Sequence, residues 1–152
     1  MIEKDELLSI VPHRGKMLLL SRVMRYDLEA RSIEAEYCIT KDCIFYEPAA
    51  KGVPAWAGFE FMAQTVAAFS GIRDRAIGKP PQIGFVLAVS RLQIGLPFFR
   101  EGSTVSIKMT EIDDMHPIFV FEGGIFLDGE KVLEGKLTVM EADDESIKRL
   151  TR

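Results

Sequence analysis

Residues 54–72 read Pro-Ala-Trp-Ala-Gly-Phe-Glu-Phe-Met-Ala-Gln-Thr-Val-Ala-Ala-Phe-Ser-Gly-Ile, an almost wholly apolar stretch that carries a glutamate and a glutamine four residues apart. Proline is well suited to the first turn of a helix, because its missing N–H would have no helical partner there. A helix that is apolar on all sides is a buried helix. The stretch therefore predicts a long buried helix over residues 55–76, around which the rest of the chain must fold.

Glu60 and Gln64 lie on one face of this helix, since positions four residues apart are neighbours. An unpaired buried carboxylate is costly, or its pKa rises. We therefore predict that Glu60 lines an apolar pocket and takes part in proton transfer; the alternative is a side chain that reaches solvent or a backbone N–H at the helix start. Gln64 is predicted to orient that carboxyl or a water, or else to be a buried amide satisfied by backbone groups.

The segments outside the helix predict strands, with one short helix at residues 4–10 and a long loop at 40–53. Strand and helix patterns do not alternate along the chain, which disfavours a parallel sheet. Asp128-Gly129 is a strong hairpin signal. The expected fold class is α+β, with one antiparallel sheet wrapped around one buried helix in a single domain, residues 1–152, whose last residues, 142–152, form a frayed tail. The strand-like segments are 17–25, 30–39, 82–98, 103–112, 117–127 and 131–140.

Composition narrows the function classes. The chain has 152 residues, 47% of them hydrophobic, and a net charge of −4, which disfavours nucleic acid as a partner. The acidic start is unlike a secretory signal, and charged and polar residues interrupt the long helix too often for a membrane span. We expect a cytoplasmic protein. Cys38 and Cys43 have the wrong spacing for zinc, so neither a metal site nor a disulfide is expected.

The helix also carries more apolar area than one curled sheet of this length is expected to cover. Aromatic-rich apolar patches mark interfaces. We therefore predict that a second copy or a homologue packs on this chain. The large apolar residues in question are Trp56, Phe59, Phe61, Met62 and Phe69.

Two motifs carry a family resemblance. Pro12-His13-Arg14 is followed by the aliphatic run 17–20, and Pro54 precedes Glu60-Phe61-Met62-Ala63-Gln64. Together they resemble the 3-hydroxyacyl-acyl-carrier-protein dehydratases, which have the hotdog fold. The Pro-Ala-Trp start of the helix and the glycine-containing strand at 84–95 resemble most closely the dehydratase-like subunit of aryl-polyene biosynthesis. The resemblance implies removal of water from a 3-hydroxyacyl thioester, held on acyl carrier protein or coenzyme A, without a cofactor.

The resemblance also implies a set of site residues. Glu60 would be the catalytic acid, and the backbone amides of Ala55 and Trp56 would polarise the thioester carbonyl. The other substrate-binding positions would be Pro54, Gln64 and Tyr46.

Tyr46 stands where the family has its catalytic histidine, and a phenol with a pKa near ~10 is no ready base at neutral pH. One candidate source of the base is His13, whose alternative role is to cap or bond backbone near the site. The other is a histidine supplied across the interface by a hotdog homologue in a heterodimer. The chain is expected to form either a homodimer or such a heterodimer. His116, in a turn sequence, is expected to be a solvated loop residue.

Other readings stay open at this point. A basic group near the helix end could dock an acidic carrier protein, or could be a solvated helix end whose cations favour the helix dipole. On the same fold the carboxylate could activate water in an acyl-thioesterase. The missing histidine would also suit a non-catalytic acyl-binding subunit. The basic residues are Arg73, Arg75, Lys79, Arg91 and Arg100.

Overall fold

The computed structural model describes residues 1–142 and builds them around one long helix. A 3₁₀ turn at Ala55–Ala57 leads directly into helix α2 at Gly58–Ala76, so the predicted helix is confirmed. A second 3₁₀ turn covers Gly15–Met17. The other elements are β1 (Ile2–Glu3), α1 (Lys4–Leu7), β2 (Arg22–Asp27), β3 (Ser32–Cys38), β4 (Gly52–Pro54), β5 (Ile83–Ile94), β6 (Phe98–Arg100), β7 (Thr104–Met115), β8 (Ile118–Leu127) and β9 (Glu130–Ala142).

Seven strands form one antiparallel sheet in the order β1-β2-β3-β7-β8-β9-β5. The short strands β4 and β6 pair separately beside the start of α2. Helix α2 packs against β3, β7 and β8 in the middle of the large sheet. The predicted α+β class, an antiparallel sheet around one long helix, is confirmed.

Aromatic contacts fix α2 on the sheet. The Phe61 ring lies 4.9 Å from the ring of Tyr37 and 5.9 Å from that of Phe99. About two turns further along α2, the ring of Phe69 meets the ring of Phe121 edge-on, with the ring centroids 5.9 Å apart. All four phenylalanines are fully buried. Because truncating a buried Phe to Ala costs about 3–5 kcal/mol, these contacts set the position of the helix.

Several element boundaries differ from the prediction. Helix α1 ends at Leu7, and the chain then turns towards Val11 instead of continuing to residue 10. The predicted strand at 17–25 starts only at Arg22, because Met17 belongs to a 3₁₀ turn. The segment 82–98 breaks at residues 95–97, where a proline has no N–H for a ladder bond.

The hairpin prediction at Asp128-Gly129 is confirmed. Both residues have positive φ, 50° and 82°, which a tight hairpin turn requires. The predicted frayed tail falls almost entirely on 143–152, outside the described residues. Its first residue, Ala142, is the last residue of β9 and is buried.

Part of the exposed apolar surface lies where the sequence predicts it, since Trp56 is 52% exposed. Phe61, Met62 and Phe69 are fully buried by this chain's own sheet, so the expected surplus on α2 is wrong for these residues. The surplus lies instead on β5, the last strand in the sheet order, where Leu87 is 51% exposed and Ile83 is 46% exposed. An edge strand with exposed apolar side chains is a surface prepared for pairing with another chain.

The N-terminal segment approaches α2 unusually closely at Gly71. A Cβ atom added there would lie 2.2 Å from the backbone oxygen of Ile10 and 2.6 Å from its side chain. Only a residue without a side chain fits, because the contact is with backbone that cannot rotate away. Gly71 therefore sets the distance between the helix and the segment that carries His13.

We predict that Gly71→Ala destabilises the protein by about 1–3 kcal/mol through this overlap. Helix propensity alone would give the opposite sign, since alanine is favoured over glycine by ~1 kcal/mol in a helix. Urea unfolding of the two proteins at equal concentration measures the difference. Gly84→Ala is the matched control, because its nearest backbone contact is 3.8 Å away. A Gly71→Ala protein as stable as the wild type would contradict the packing argument.

Candidate active site

A cavity of about 350 Å³ lies between α2, the N-terminal segment and the beginning of β5. From the helix, one stripe of small and apolar residues lines it, spaced three or four apart as one helix face requires. The opposite wall is the edge strand, from Ile83 to Val86. The helix stripe consists of Phe59, Ala63, Val66, Ala67 and Ser70.

Glu60 faces this cavity from the first turn of α2. Its residue is half-buried, and Oε2 is buried without a hydrogen-bond partner among the described residues. Burial raises the pKa of Glu60 above its ordinary value. Desolvation therefore favours the protonated carboxyl, which is the form that can donate a proton.

His13 lines the same cavity from the N-terminal segment. Its Nδ1 atom is buried and lacks a hydrogen-bond partner within residues 1–142. Burial, together with the nearby charge of Arg14, lowers the pKa of His13. The structure thus brings the two predicted catalytic residues into one cavity, and their environments favour a protonated Glu60 and a neutral His13.

Two contacts hold the N-terminal segment against α2 on either side of His13. The carbonyl of Ile10 lies against Gly71, and the carbonyl of Met17 accepts a bond from the Gln64 side chain, so the segment runs antiparallel to α2. His13 lies between these two contacts along the chain and shares the cavity lining with Glu60.

Gln64 does not reach the cavity, and the prediction that it orients the Glu60 carboxyl does not fit the structure. Its Oε1 accepts from the backbone N–H of Leu19 at 2.6 Å, and its Nε2 donates to the carbonyl of Met17 at 2.7 Å. The alternative, a buried amide satisfied by backbone, describes it. The side chain pins the end of the N-terminal segment to α2.

The two backbone amides predicted to polarise the thioester carbonyl, those of Ala55 and Trp56, are not equally available to a substrate. The N–H of Ala55 donates to the carbonyl of Pro97 at 2.9 Å and is not free for a substrate. The N–H of Trp56 lies within the opening 3₁₀ turn, where the first N–H groups have no intrahelical partner. The Trp56 ring is 52% exposed and stands edge-on to Phe45. Pro54 is buried and pairs with Phe98 between β4 and β6, outside the cavity lining.

Tyr46 is directed away from this cavity. Its hydroxyl donates to Glu101 at 2.9 Å. Desolvation and this hydrogen bond raise the pKa of Tyr46, so the phenolate form that could accept a proton is still scarcer at neutral pH. The position where the resembling dehydratases have histidine therefore supplies no base here.

The cavity contains an acidic residue that the sequence analysis missed. Glu141 lines it from β9, and Oε1 of Glu141 lies 3.8 Å from Arg73. A signal for it exists in the sequence: Leu133, Leu137 and Val139 point inward with a period of two, and residue 141 continues that series. An inward-facing charge at the end of a core strand indicates a polar cluster or a site.

Two cations of the predicted basic patch have acidic partners. Arg73 forms a 2.8 Å ion pair with buried Glu111 and lies over the rings of Phe69 and Phe119. Arg75 pairs with Glu6 at 2.9 Å at the surface. These two of the five cations therefore have less charge to offer an acidic carrier protein. His116 is exposed in the turn between β7 and β8, as expected.

A larger groove of about 540 Å³ on the other face of the sheet is less suited to an acyl group. Charged and polar residues make up most of its walls, and each of its lysines has an acidic neighbour. Lys108 is in register with Glu34, Lys136 with Glu122, and Lys131 pairs with Glu134 at 3.1 Å. Such alternation is typical of a solvated sheet face.

Known proteins resemble this chain over nearly its whole length. A family model described as ApeP-like, ApeP dehydratase, matches residues 6–150. The chain belongs to the ApeP-like dehydratase family. Among curated relatives, the 3-hydroxyacyl-[acyl-carrier-protein] dehydratase FabZ of Campylobacter lari is 26% identical over 149 residues, which cover 94% of this chain and 99% of the relative. FabZ of Bradyrhizobium sp. (strain ORS 278) is 28% identical over 151 residues, with 93% of each chain covered.

Solved structures confirm the hotdog fold. A chain of the dehydratase heterocomplex ApeI:P from Xenorhabdus doucetiae superposes with a TM-score of 0.88 at 21% identity, covering 96% of this chain and 97% of that one. A thioesterase-like protein of Ralstonia eutropha JMP134, related to phenylacetic acid degradation, superposes with a TM-score of 0.59 at 19% identity, covering 78% and 82%. At these identities the likeness concerns the fold alone.

No group of three His, Cys, Asp or Glu side chains within residues 1–142 has a metal-binding arrangement. No helix in that range combines the length and apolar character needed for a membrane span.

The environment of Glu60 predicts a pH-dependent stability difference. Because its pKa is raised on folding, the folded protein holds this proton to higher pH than the unfolded chain. The associated stability is fully present below the ordinary pKa of 4.5 and is lost as the pH rises through the folded pKa. The difference in unfolding free energy between Glu60→Gln and the wild type should therefore shift in favour of the variant as the pH rises from about 5 to about 8.

Thermal unfolding of both proteins across this pH range measures the effect. Glu29→Gln is the control, because it makes the same replacement at an exposed turn residue. A stability difference between Glu60→Gln and the wild type that does not change with pH would contradict the desolvation of the Glu60 carboxyl.

Proposed function

We propose that this chain is the Glu-bearing subunit of a 3-hydroxyacyl-thioester dehydratase and that Glu60 protonates the leaving hydroxyl. The observation that carries the proposal is a half-buried carboxyl with no bonding partner for Oε2, facing a cavity of about 350 Å³ with largely apolar walls. Membership of the ApeP-like dehydratase family supports the reaction class.

The reaction requires an acid and a base in concert. A base takes a proton from carbon 2, the C2–C3 double bond forms, and the bond from carbon 3 to its hydroxyl oxygen breaks. The departing hydroxide takes the proton of Glu60 and leaves as water, so Glu60 ends as a carboxylate. Donors at the start of α2, of which the Trp56 N–H is the candidate, would stabilise charge on the thioester carbonyl.

The base is proposed to come from a partner subunit. Carbons 2 and 3 are directly bonded, so the base must act close to the Glu60 carboxyl. Tyr46 occupies the family's histidine position and faces Glu101. A hotdog homologue that has histidine at the position of Tyr46 would supply the missing group across the interface.

The edge strand β5 supports such an assembly. It forms one wall of the cavity and exposes apolar side chains along its length. The structural neighbour from Xenorhabdus doucetiae is itself part of a dehydratase heterocomplex, and we extend that arrangement to this chain as part of the proposal. The named substrates of the FabZ relatives suggest acyl carrier protein rather than coenzyme A as the carrier.

The thioesterase alternative is weaker on electrostatic grounds. A carboxylate that activates water must be ionised, whereas burial favours the protonated form of Glu60. A non-catalytic subunit is tested by the same experiments as the dehydratase, because its Glu60 would be dispensable.

We predict that Glu60→Gln, assayed together with a histidine-bearing hotdog partner, lowers the dehydration rate by about 10²–10⁴-fold. The amide keeps the shape of the side chain but has no proton to donate at neutral pH. The measurement is the loss of water from a 3-hydroxyacyl-carrier protein, followed by mass spectrometry, with Glu29→Gln as control. A variant that retains most of the activity would show that Glu60 is not the acid and that its role is structural.

A second experiment identifies the base. The isolated wild-type chain is expected to be inactive, and a histidine-bearing partner is expected to restore activity even with His13→Ala, with an increase in KM rather than a loss of kcat. Replacing the partner's histidine should abolish activity. If the isolated chain is active and His13→Ala abolishes that activity, His13 is the base and the partner proposal is wrong.

A further inference from the structure

The Arg14 side chain folds back onto the segment that carries His13. Its guanidinium donates to three backbone carbonyls: Leu8 at 2.6 Å, Val11 at 2.7 Å and His13 at 2.8 Å. Hydrogen bonds from a charged donor are about twice as strong as neutral ones. One side chain therefore closes a loop of seven residues, 8–14, into a fixed turn.

The need for such a clamp follows from the end of α1. The helix stops at Leu7, and the N–H groups of Ile10 and Val11 both return to the Leu7 carbonyl. The carbonyls of Leu8 and Val11 lie beyond the helix and need donors from elsewhere. A guanidinium presents several N–H groups in a rigid planar fork, whereas a lysine ammonium is a single point on a flexible stem.

The clamp acts on the one part of the segment that faces the cavity. At the far end, Gln64 ties residues 17–19 to α2, and near the beginning the carbonyl of Ile10 lies against Gly71. Between these ties, Pro12 and His13 form a cavity wall, and the next residue, Arg14, bonds the carbonyl of His13 itself. The position of the imidazole thus depends directly on the Arg14 side chain.

We propose that Arg14 is a positioning residue that holds the His13 imidazole in the substrate cavity by bonding three carbonyls of its own turn. This inference rests on the proposed function only for its effect on substrate; the placement of His13 is tested separately. Two of the three bonds are exposed, and all three share one donor group and constrain one short turn.

The test compares Arg14→Lys with Arg14→Gln by NMR titration of the histidines. The chain has only two, so His116→Gln assigns both signals. In the wild type, burial and the charge of Arg14 keep the pKa of His13 low. Arg14→Gln removes both the charge and the clamp, so the pKa of His13 should rise. Arg14→Lys keeps the charge and loses the clamp. The released imidazole is less buried, so the pKa of His13 should also rise, but by less than in Arg14→Gln.

An unchanged His13 pKa in Arg14→Lys would overturn the proposal, since Arg14 would then act by charge alone. The functional arm uses the complete enzyme with its partner: Arg14→Lys should raise KM on the order of tenfold, in line with the loss of charged hydrogen bonds, with a small effect on kcat. Equal KM values for Arg14→Lys and the wild type would also contradict it. Arg25→Lys is the control, because Arg25 is an exposed arginine paired with Glu34 on the sheet.

Failure of this inference and failure of the proposed function have different signatures. If the His13 pKa rises in Arg14→Lys but no dehydration occurs with any partner, the placement stands and the reaction assignment fails. If dehydration occurs and the pKa and KM do not move, the reaction stands and the positioning role of Arg14 fails.

Discussion

The packing of α2 against the middle of one antiparallel sheet is the contact on which the other features depend. Phe61 and Phe69 anchor the helix from the inside, and this places the opposite stripe, from Phe59 to Ser70, against the N-terminal segment and the edge strand. That stripe lines the cavity. The result is a cavity whose helix wall is fixed by the core and whose other walls are a short segment and an unpaired strand edge.

The same burial sets the chemistry of the cavity. Glu60 sits on the border between the anchored face and the cavity stripe, so it is desolvated without gaining a cationic partner, and its pKa rises. His13 is desolvated from the other side and carries the added influence of Arg14, so its pKa falls. One cavity thereby holds a carboxyl shifted towards its acid form and an imidazole shifted towards its neutral form, and both shifts follow from packing.

How much of this could be predicted from sequence depends on the range of the interactions. The helix and the half-buried position of Glu60 in a cavity could be predicted, because both follow from the local apolar pattern and from one charge within it. The fate of Gln64 could not, because its partners Met17 and Leu19 lie more than forty residues earlier and only the fold brings them together. Ala55 is similar, since its N–H donates to the carbonyl of Pro97, which lies between β5 and β6 and more than forty residues later. Glu141 had a usable signal in the period of β9, but its place in the cavity depends on the pairing of β9 with β5.

The placement of β5 links assembly to catalysis within the proposed function. The strand is both a cavity wall, from Ile83 to Val86, and the edge of the sheet, so a chain that pairs with it would also rebuild the site. Tyr46 stands at the family's histidine position and bonds Glu101. In the proposed function, this subunit therefore contributes to the reaction only when the partner places a base against Glu60. The apolar side chains on β5 are costly to leave in water, which favours association. In this arrangement the residues that drive pairing also form the wall of the cavity, so formation of the interface and completion of the active site become a single event.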